Sequence, residues 1–192
     1  MTDLTVAPLD SGRWADLVTL FGPDRGAYGR CWCMFWRVTG RQFDNLGGDG
    51  RRSAFHDRVV AQDDGAPPAG LLAYDDQRPV GWIAIAPRTE FGRLDRSPLL
   101  KPVDDAPVWS ITCLYVHPDR RRGGVTGRLI DAAVELAATH DAPAVEAYPI
   151  DTDGDADDSA IYTGTSDMFT HAGFIEIDRR RHRPVMRRQL LR

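Results

Sequence analysis

A mixed α/β fold is what this sequence predicts, on three observations. Seven short runs rich in β-branched and aromatic residues have strand length. Amphipathic segments of helical period stand among them, and one stretch, Val108 to His140, joins a strand to a helix through a glycine-rich turn.

In chain order, Leu4 to Leu9 is the first strand. From Ser11, Trp14, Leu17, Val18 and Phe21 recur at i, i+3, i+4 and i+7, which predicts a helix that Gly22 and Pro23 stop. Asp49 is placed to cap a second helix that runs to about Gln62, short of Pro67 and Pro68. Gly70 to Tyr74 and Val80 to Ala86 flank the polar turn Asp75, Asp76, Gln77, the pattern of an antiparallel hairpin. Arg88 to Asp105 reads as a long polar connection.

Val108 to Val116 is then a strand that must end at Pro118, which lacks a backbone N–H. Val125, Leu129, Ala133 and Leu136 fall on one side of the following helix. Between the two, Arg120 to Gly127 holds three arginines and three glycines in eight residues. The first N–H groups of a helix lack partners, its dipole adds positive charge there, and glycine lets a phosphate approach closely, so this turn is a natural anion site. A Walker loop and a dinucleotide fingerprint are both excluded by their missing residues. Ala144 to Pro149 is the next strand, with Glu146 and Tyr148 on one face and Val145 and Ala147 on the other. Phe174 to Asp178 and Val185 to Leu190 supply the last two.

The length of 192 residues suits one domain, 1–192, able to bury a real core. A net charge of −4 without a sustained basic face argues against nucleic-acid or membrane-surface binding. Cys31, Cys33 and Cys113 are an odd number in a chain with no long apolar span, which implies a reduced, cytoplasmic setting. A Cys-x-Cys pair with no second pair at zinc-like spacing implies no metal. The acidic run Asp151 to Asp158 has its glycine and its twelfth residue wrong for a calcium loop. It reads as a solvated loop or as an attractant for a cationic acceptor.

Arg121, two residues, Gly124, Val125, Thr126, preceded by Leu114 to Pro118, resembles motif A of the GNAT superfamily of acyl-CoA-dependent N-acyltransferases. That pattern is Arg or Gln, two residues, Gly, one residue, Gly or Ala, so Thr126 departs from it. Met168, Phe169, Gly173 and Phe174 resemble the closing Leu-Tyr-x-Lys-x-Gly-Phe motif, with Phe169 in place of the tyrosine that commonly protonates the departing thiolate. The resemblance implies a GNAT fold: a twisted mixed central sheet of about seven strands flanked by about four helices, splayed at its centre to bind acetyl-CoA.

On that reading, acetyl-CoA is the acyl donor and the pantetheine arm pairs with Leu114, Tyr115 and Val116. Its pyrophosphate lies over Arg121, Arg122, Gly123, Gly124, Val125, Thr126 and Gly127, with Phe169 nearby. Trp32, Phe35, Trp36 and Arg37, from the apolar stretch Tyr28 to Arg37, either plug the core or wall an acceptor pocket, Arg37 then meeting a carboxylate.

An alkyl ammonium with a pKa of about 10.4 costs on the order of 4 to 5 kcal/mol to deprotonate at neutral pH, so a base is expected. Glu146 is the first candidate and Glu90 the second, unless Glu146 only pairs with an arginine. Tyr162 is the candidate acid, unless it only packs against the cofactor. The expected activity is N-acetylation of a primary amine on a small molecule in a ternary complex. Protein or peptide acetylation, and a silent acyl-CoA-binding module, are the alternatives. A homodimer is left open.

Overall fold

The computed structural model describes residues 4–22, 29–64, 67–151 and 162–190. Seven strands form one mixed sheet: β1 (Leu4–Pro8), β2 (Leu71–Asp75), β3 (Arg78–Pro87), β4 (Trp109–Val116), β5 (Ala144–Ala147), β6 (Ile175–Arg180) and β7 (Arg183–Gln189). Their order in space is β1-β2-β3-β4-β5-β7-β6. Only β4 and β5 run parallel, which requires the crossover helix predicted between them.

That helix, α4 (Val125–Thr139), buries Val125, Leu129, Ile130, Ala133, Val134 and Ala137 against one face of the sheet. The register is the predicted stripe, extended by Ile130, Val134 and Ala137. Gly81 of β3 makes the close fit possible, since a Cβ there would lie 2.7 Å from Val125 Cγ1 and 3.0 Å from Leu129 Cδ1. The short helix α5 (Ser166–His171) shares this face through Phe169, whose ring meets Phe174 at 5.2 Å.

The opposite face is covered by α1 (Trp14–Phe21) and α2 (Gly40–Val60), with the segment 31–34 wedged beneath them. α2 begins nine residues before the expected Asp49. Thr39 and Gln42 form a capping box that starts it, and Gly47 breaks it internally at φ 61°, a left-handed value suited to glycine. The helical restart after Gly47 is what the Asp49 signal reflected. Beyond Val60, Gln62 ties two segments together, donating to Leu9 O at 2.7 Å and accepting from Ala69 N–H at 2.6 Å.

The connection 88–105 is more structured than its polarity suggests. It contains a 3-10 turn (Arg88–Glu90) and the helix α3 (Gly92–Arg96), and it buries Phe91, Leu94 and Leu100 against Tyr148 and Val185. Isolated apolar residues in a charged segment form no periodic signal, so only the sheet's need for cover on this side reveals the element.

The β3–β4 register slips by one residue between Ala84 and Ile85, leaving Thr112 as a bulge. Before it, Ile111 faces α4 and Ser110 faces away; after it, Cys113 and Tyr115 face the α1 and α2 side while Leu114 returns to the α4 side. β4 then pairs with β5 over only three residues, Trp109 to Ile111. Beyond that the strands part, and the gap is bridged by Leu114 N–H donating to Tyr162 O at 2.7 Å and Ile150 N–H to Gly164 O at 3.1 Å.

Gly81→Val forces branched carbons into space that α4 occupies. A loss of about 1 to 3 kcal/mol in unfolding free energy is expected from urea titration, with the m-value unchanged.

Candidate active site

The parting of β4 and β5 opens onto a groove of about 510 Å³. Leu114, Val116, Gly164 and Met168 form its walls, and Arg120, Arg121, Arg122, Gly124, Val125 and Thr126 its floor. The floor is the N-terminus of α4. Gly124 stands at the cap position with φ 78°, and no side chain caps the first turn, so the N–H groups of Val125, Thr126 and Gly127 keep their donor capacity for an anion. Arg122 is also left-handed at φ 63°, and the 3-10 turn Pro118–Arg120 brings Arg120 to the groove, where buried Asp75 pairs with it.

Val80 O accepts from His117 N–H, so by strand alternation the Leu114 and Val116 N–H groups point away from β3. Leu114 spends its donor on Tyr162 O, and Val116 presents its own toward the groove. Cationic side chains, unclaimed helix donors and a strand edge above them suit a diphosphate with an amide-bearing arm, which is the chemistry of coenzyme A.

Several residues singled out in the sequence lie at this groove: Leu114, Val116, Arg121, Arg122, Gly124, Val125 and Thr126. Others are elsewhere. Tyr115 points to the α1 and α2 side, where its ring meets Phe21 at 5.8 Å. Phe169 is fully buried, and its helix neighbour Met168 is the one that lines the groove. Gly123 and Gly127 belong to the turn without lining the cavity. Arg120, part of the Arg- and Gly-rich turn but outside the motif itself, also lines the groove, and so does Gly164, which only the bridging backbone places there.

Tyr162 lies on the opposite face, packed against the cluster that α1 and α2 cover. Its phenol pKa is raised, first by burial, then by the thiols of Cys113 and Cys31, with Arg183 and Arg93 opposing. It is therefore protonated at neutral pH, as a proton donor must be. Cys31 and Cys33 are raised well above their ordinary values by hydrogen bonds among the thiols and by burial, so they are protonated and poor nucleophiles. Cys33 Sγ accepts from Trp82 Nε1 at 3.0 Å. Among the described residues no His, Cys, Asp and Glu cluster could hold a metal.

Glu146 is 2 % exposed and heavily engaged. Arg187 donates to its Oε1 from Nε at 3.1 Å and from Nη2 at 2.6 Å, and Tyr148 OH donates to its Oε2 at 2.8 Å. Ser110 Oγ on β4 lies 2.8 Å from the same Tyr148 hydroxyl, and Arg88 Nη1 donates to it at 2.5 Å. Of the two roles open to Glu146, the ion pair with an arginine is present. Glu90 is likewise held by Arg37 and Arg58, which keep its carboxyl below the usual range despite its burial.

The aromatic stretch divides. Trp32 is buried and stacked on Trp14, ring centres 5.9 Å apart, so it plugs the core. Arg37 is consumed by Glu90 and by the Phe91 face at 4.6 Å. Phe35 and Trp36 remain partly exposed, and Trp36 Nε1 is a sealed donor with no partner among the described residues.

Residues 32–161 match the family model described as the acetyltransferase (GNAT) family. The chain belongs to this family and is an acyltransferase. None of the curated proteins is significantly similar to it in sequence. Among solved structures, the PaiA N-acetyltransferase of Thermoplasma acidophilum in complex with coenzyme A is similar at TM-score 0.57 and 11% identity, covering 98% of this chain and 99% of that one. A GNAT-family acetyltransferase from Streptococcus pneumoniae gives 0.58 and 13%, covering 98% and 100%. The NatC complex bound to Gag peptide and coenzyme A gives 0.53 and 12%, covering 98% and 99%. At these identities the likeness shows the shared fold. No helix among the described residues is long and apolar enough to cross a membrane.

A branched side chain at Gly124 must enter the left-handed region at the helix cap. Gly124→Val is expected to raise the Kd for coenzyme A at least roughly tenfold by calorimetry. Unchanged affinity would place the diphosphate elsewhere.

Proposed function

We propose that this protein transfers an acetyl group from acetyl-CoA to the primary amine of a small molecule, by direct transfer in a ternary complex. The observation that carries the reading is the groove at the parting of β4 and β5, floored by the uncapped N-terminus of α4 and walled by Leu114, whose N–H is held by the Tyr162 carbonyl. Acetyl-CoA, when bound, supplies the acetyl thioester. The α4 donors with Arg121 and Arg122 hold its diphosphate, and Val116 N–H is available to the acyl carbonyl, where it favours charge developing on oxygen.

Tyr162 is the acid. Its backbone is fixed to Leu114, and its hydroxyl holds the proton that a departing thiolate requires. Glu146 acts at one remove. Through Tyr148 and Ser110 it fastens β5 to β4 just before they part, as a positioning residue. Both Glu146 oxygens are occupied by Arg187 and Tyr148, so the amine sheds its proton to water.

A small acceptor is favoured by the acceptor face itself. Phe35, Trp36 and Phe43 gather aromatic surface there, with Phe35 and Phe43 ring centres 5.6 Å apart. The second reading, a peptide amine, rests on the likeness to the NatC complex. Cytoplasmic residence fits Cys31, Cys33 and Cys113, which form no disulfide among the described residues.

Tyr162→Phe is expected to lower kcat about 10²- to 10⁴-fold with coenzyme A affinity unchanged, and undiminished turnover would remove Tyr162 as the acid. The basic limb of the wild-type kcat profile should lie above the ordinary phenol value of 10.0, because burial raises Tyr162 and its proton is lost only above that pH. Glu146→Gln should reduce stability and leave kcat within about tenfold. A loss beyond about a hundredfold at unchanged stability would return it to the role of base.

A further inference from the structure

Arg183 is the anomaly of the acceptor face. It opens β7, whose alternation puts Arg183, Val185 and Arg187 on the side away from α4: Val185 packs on Tyr148 there, and Arg187 binds Glu146, while Met186 joins the α4 core. Ala147 pairs with Met186, so three residues further along the antiparallel ladder Arg183 comes level with Ile150. Ile150 N–H is bonded to Gly164 O, two residues past Tyr162. The guanidinium is thus delivered to the open end of the sheet, beside the segment that bridges β4 and β5.

Arg183 is only 9 % exposed, yet among the described residues it has no ion pair and no hydrogen bond. Its fellows on β7 show the contrast: Arg187 holds Glu146 and Asp104, and Arg188 donates to Ala172 O at 2.7 Å. A cation drawn so far out of water with no anion beside it among the described residues is costly, and desolvation lowers its pKa. Such groups require an explanation, and the plainest is a ligand that supplies the missing charge.

A second cation points to the same place. Arg93 of α3 lies over the Phe35 ring at 4.1 Å, and its backbone N–H donates to Trp36 O at 3.1 Å. Asp44 and Arg96 are the other charges it feels, and it has an ion pair with no described carboxylate. Arg183 and Arg93 both pull the Tyr162 phenol pKa down against its burial. Arg37, expected from the sequence to meet a carboxylate, is occupied by Glu90 instead.

We propose that Arg183, assisted by Arg93, binds a carboxylate on the acceptor, so that the amine acetylated is that of an amino acid or a close analogue. The inference rests on the transfer reading above and names its substrate class. The planar guanidinium fork of Arg183 accepts a carboxylate with paired hydrogen bonds. Its place beside Tyr162 keeps the anion within a few bonds of the reacting amine.

The test uses the full chain with acetyl-CoA and a panel of proteinogenic amino acids, their amides, the decarboxylated amines, phosphoethanolamine and short peptides, followed by coenzyme A release. At least one amino acid should have a KM roughly 10- to 100-fold below that of its amide, and Arg183→Met should erase this difference while coenzyme A affinity stays unchanged. Arg183→Lys should restore part of it, and Arg93→Met, at a more exposed site, should weaken it by a smaller factor. Equal KM for acids and amides in the wild type overturns the proposal, as does equal loss for both in Arg183→Met. So does a preference for phosphoethanolamine or for peptides.

Calorimetry with the coenzyme A complex separates this inference from the transfer reading. Binding of amino acids that depends on Arg183, without turnover of any amine, upholds the carboxylate site and refutes acetyl transfer. Turnover that is best on amines lacking a carboxylate does the reverse. Absence of both carboxylate binding and carboxylate turnover overturns the site.

Discussion

The structure depends on a strand pair that is allowed to form only in part. β4 and β5 hold each other through Trp109 to Ile111, and there β5 ends at Ala147 while β4 runs on to Val116. A parallel pair left to itself would zip further, since each unpaired buried N–H or C=O is costly. The opening persists because other partners take those groups: Tyr162 O receives the Leu114 N–H and Gly164 O receives the Ile150 N–H. The bulge at Thr112 turns β4 at the same level, and the Glu146, Tyr148 and Ser110 chain fastens the closed end.

Placing a polar network at the closed end has an energetic logic. Glu146 inside the sheet is tolerable only because Arg187 and Tyr148 meet it, and Arg187 reaches outward to Asp104 at 2.6 Å. Removing Arg187 strips buried Glu146 of its main charge partner, so the network favours a single arrangement of β4, β5 and β7. That rigidity is what keeps the wedge at its other end at a fixed width. The two ends of one strand pair thus divide the labour between holding and opening.

The same division sorts the arginines. Those facing the closed end or the core are matched, as Arg37 is by Glu90 and Arg88 by Asp95 and Leu100 O. Arg120 at the groove is matched by Asp75, whereas Arg183 and Arg93 have no ion pair with a carboxylate among the described residues.

Much of this was legible in the sequence, because it is local. The strand from Val108, the stop at Pro118, the Arg- and Gly-rich turn and the four-residue rhythm of α4 are all written in neighbouring residues, and they sufficed for the fold and for the turn that floors the groove. What the chain's order could not reveal is long-range accounting. Whether Trp32 fills the core or a pocket depends on Trp14, eighteen residues earlier, and whether Arg37 or Arg183 is the spare cation depends on Glu90 reaching one and not the other. The tertiary structure alone decided those questions, since the net charge available to a substrate is what remains after every buried partner has been assigned in space.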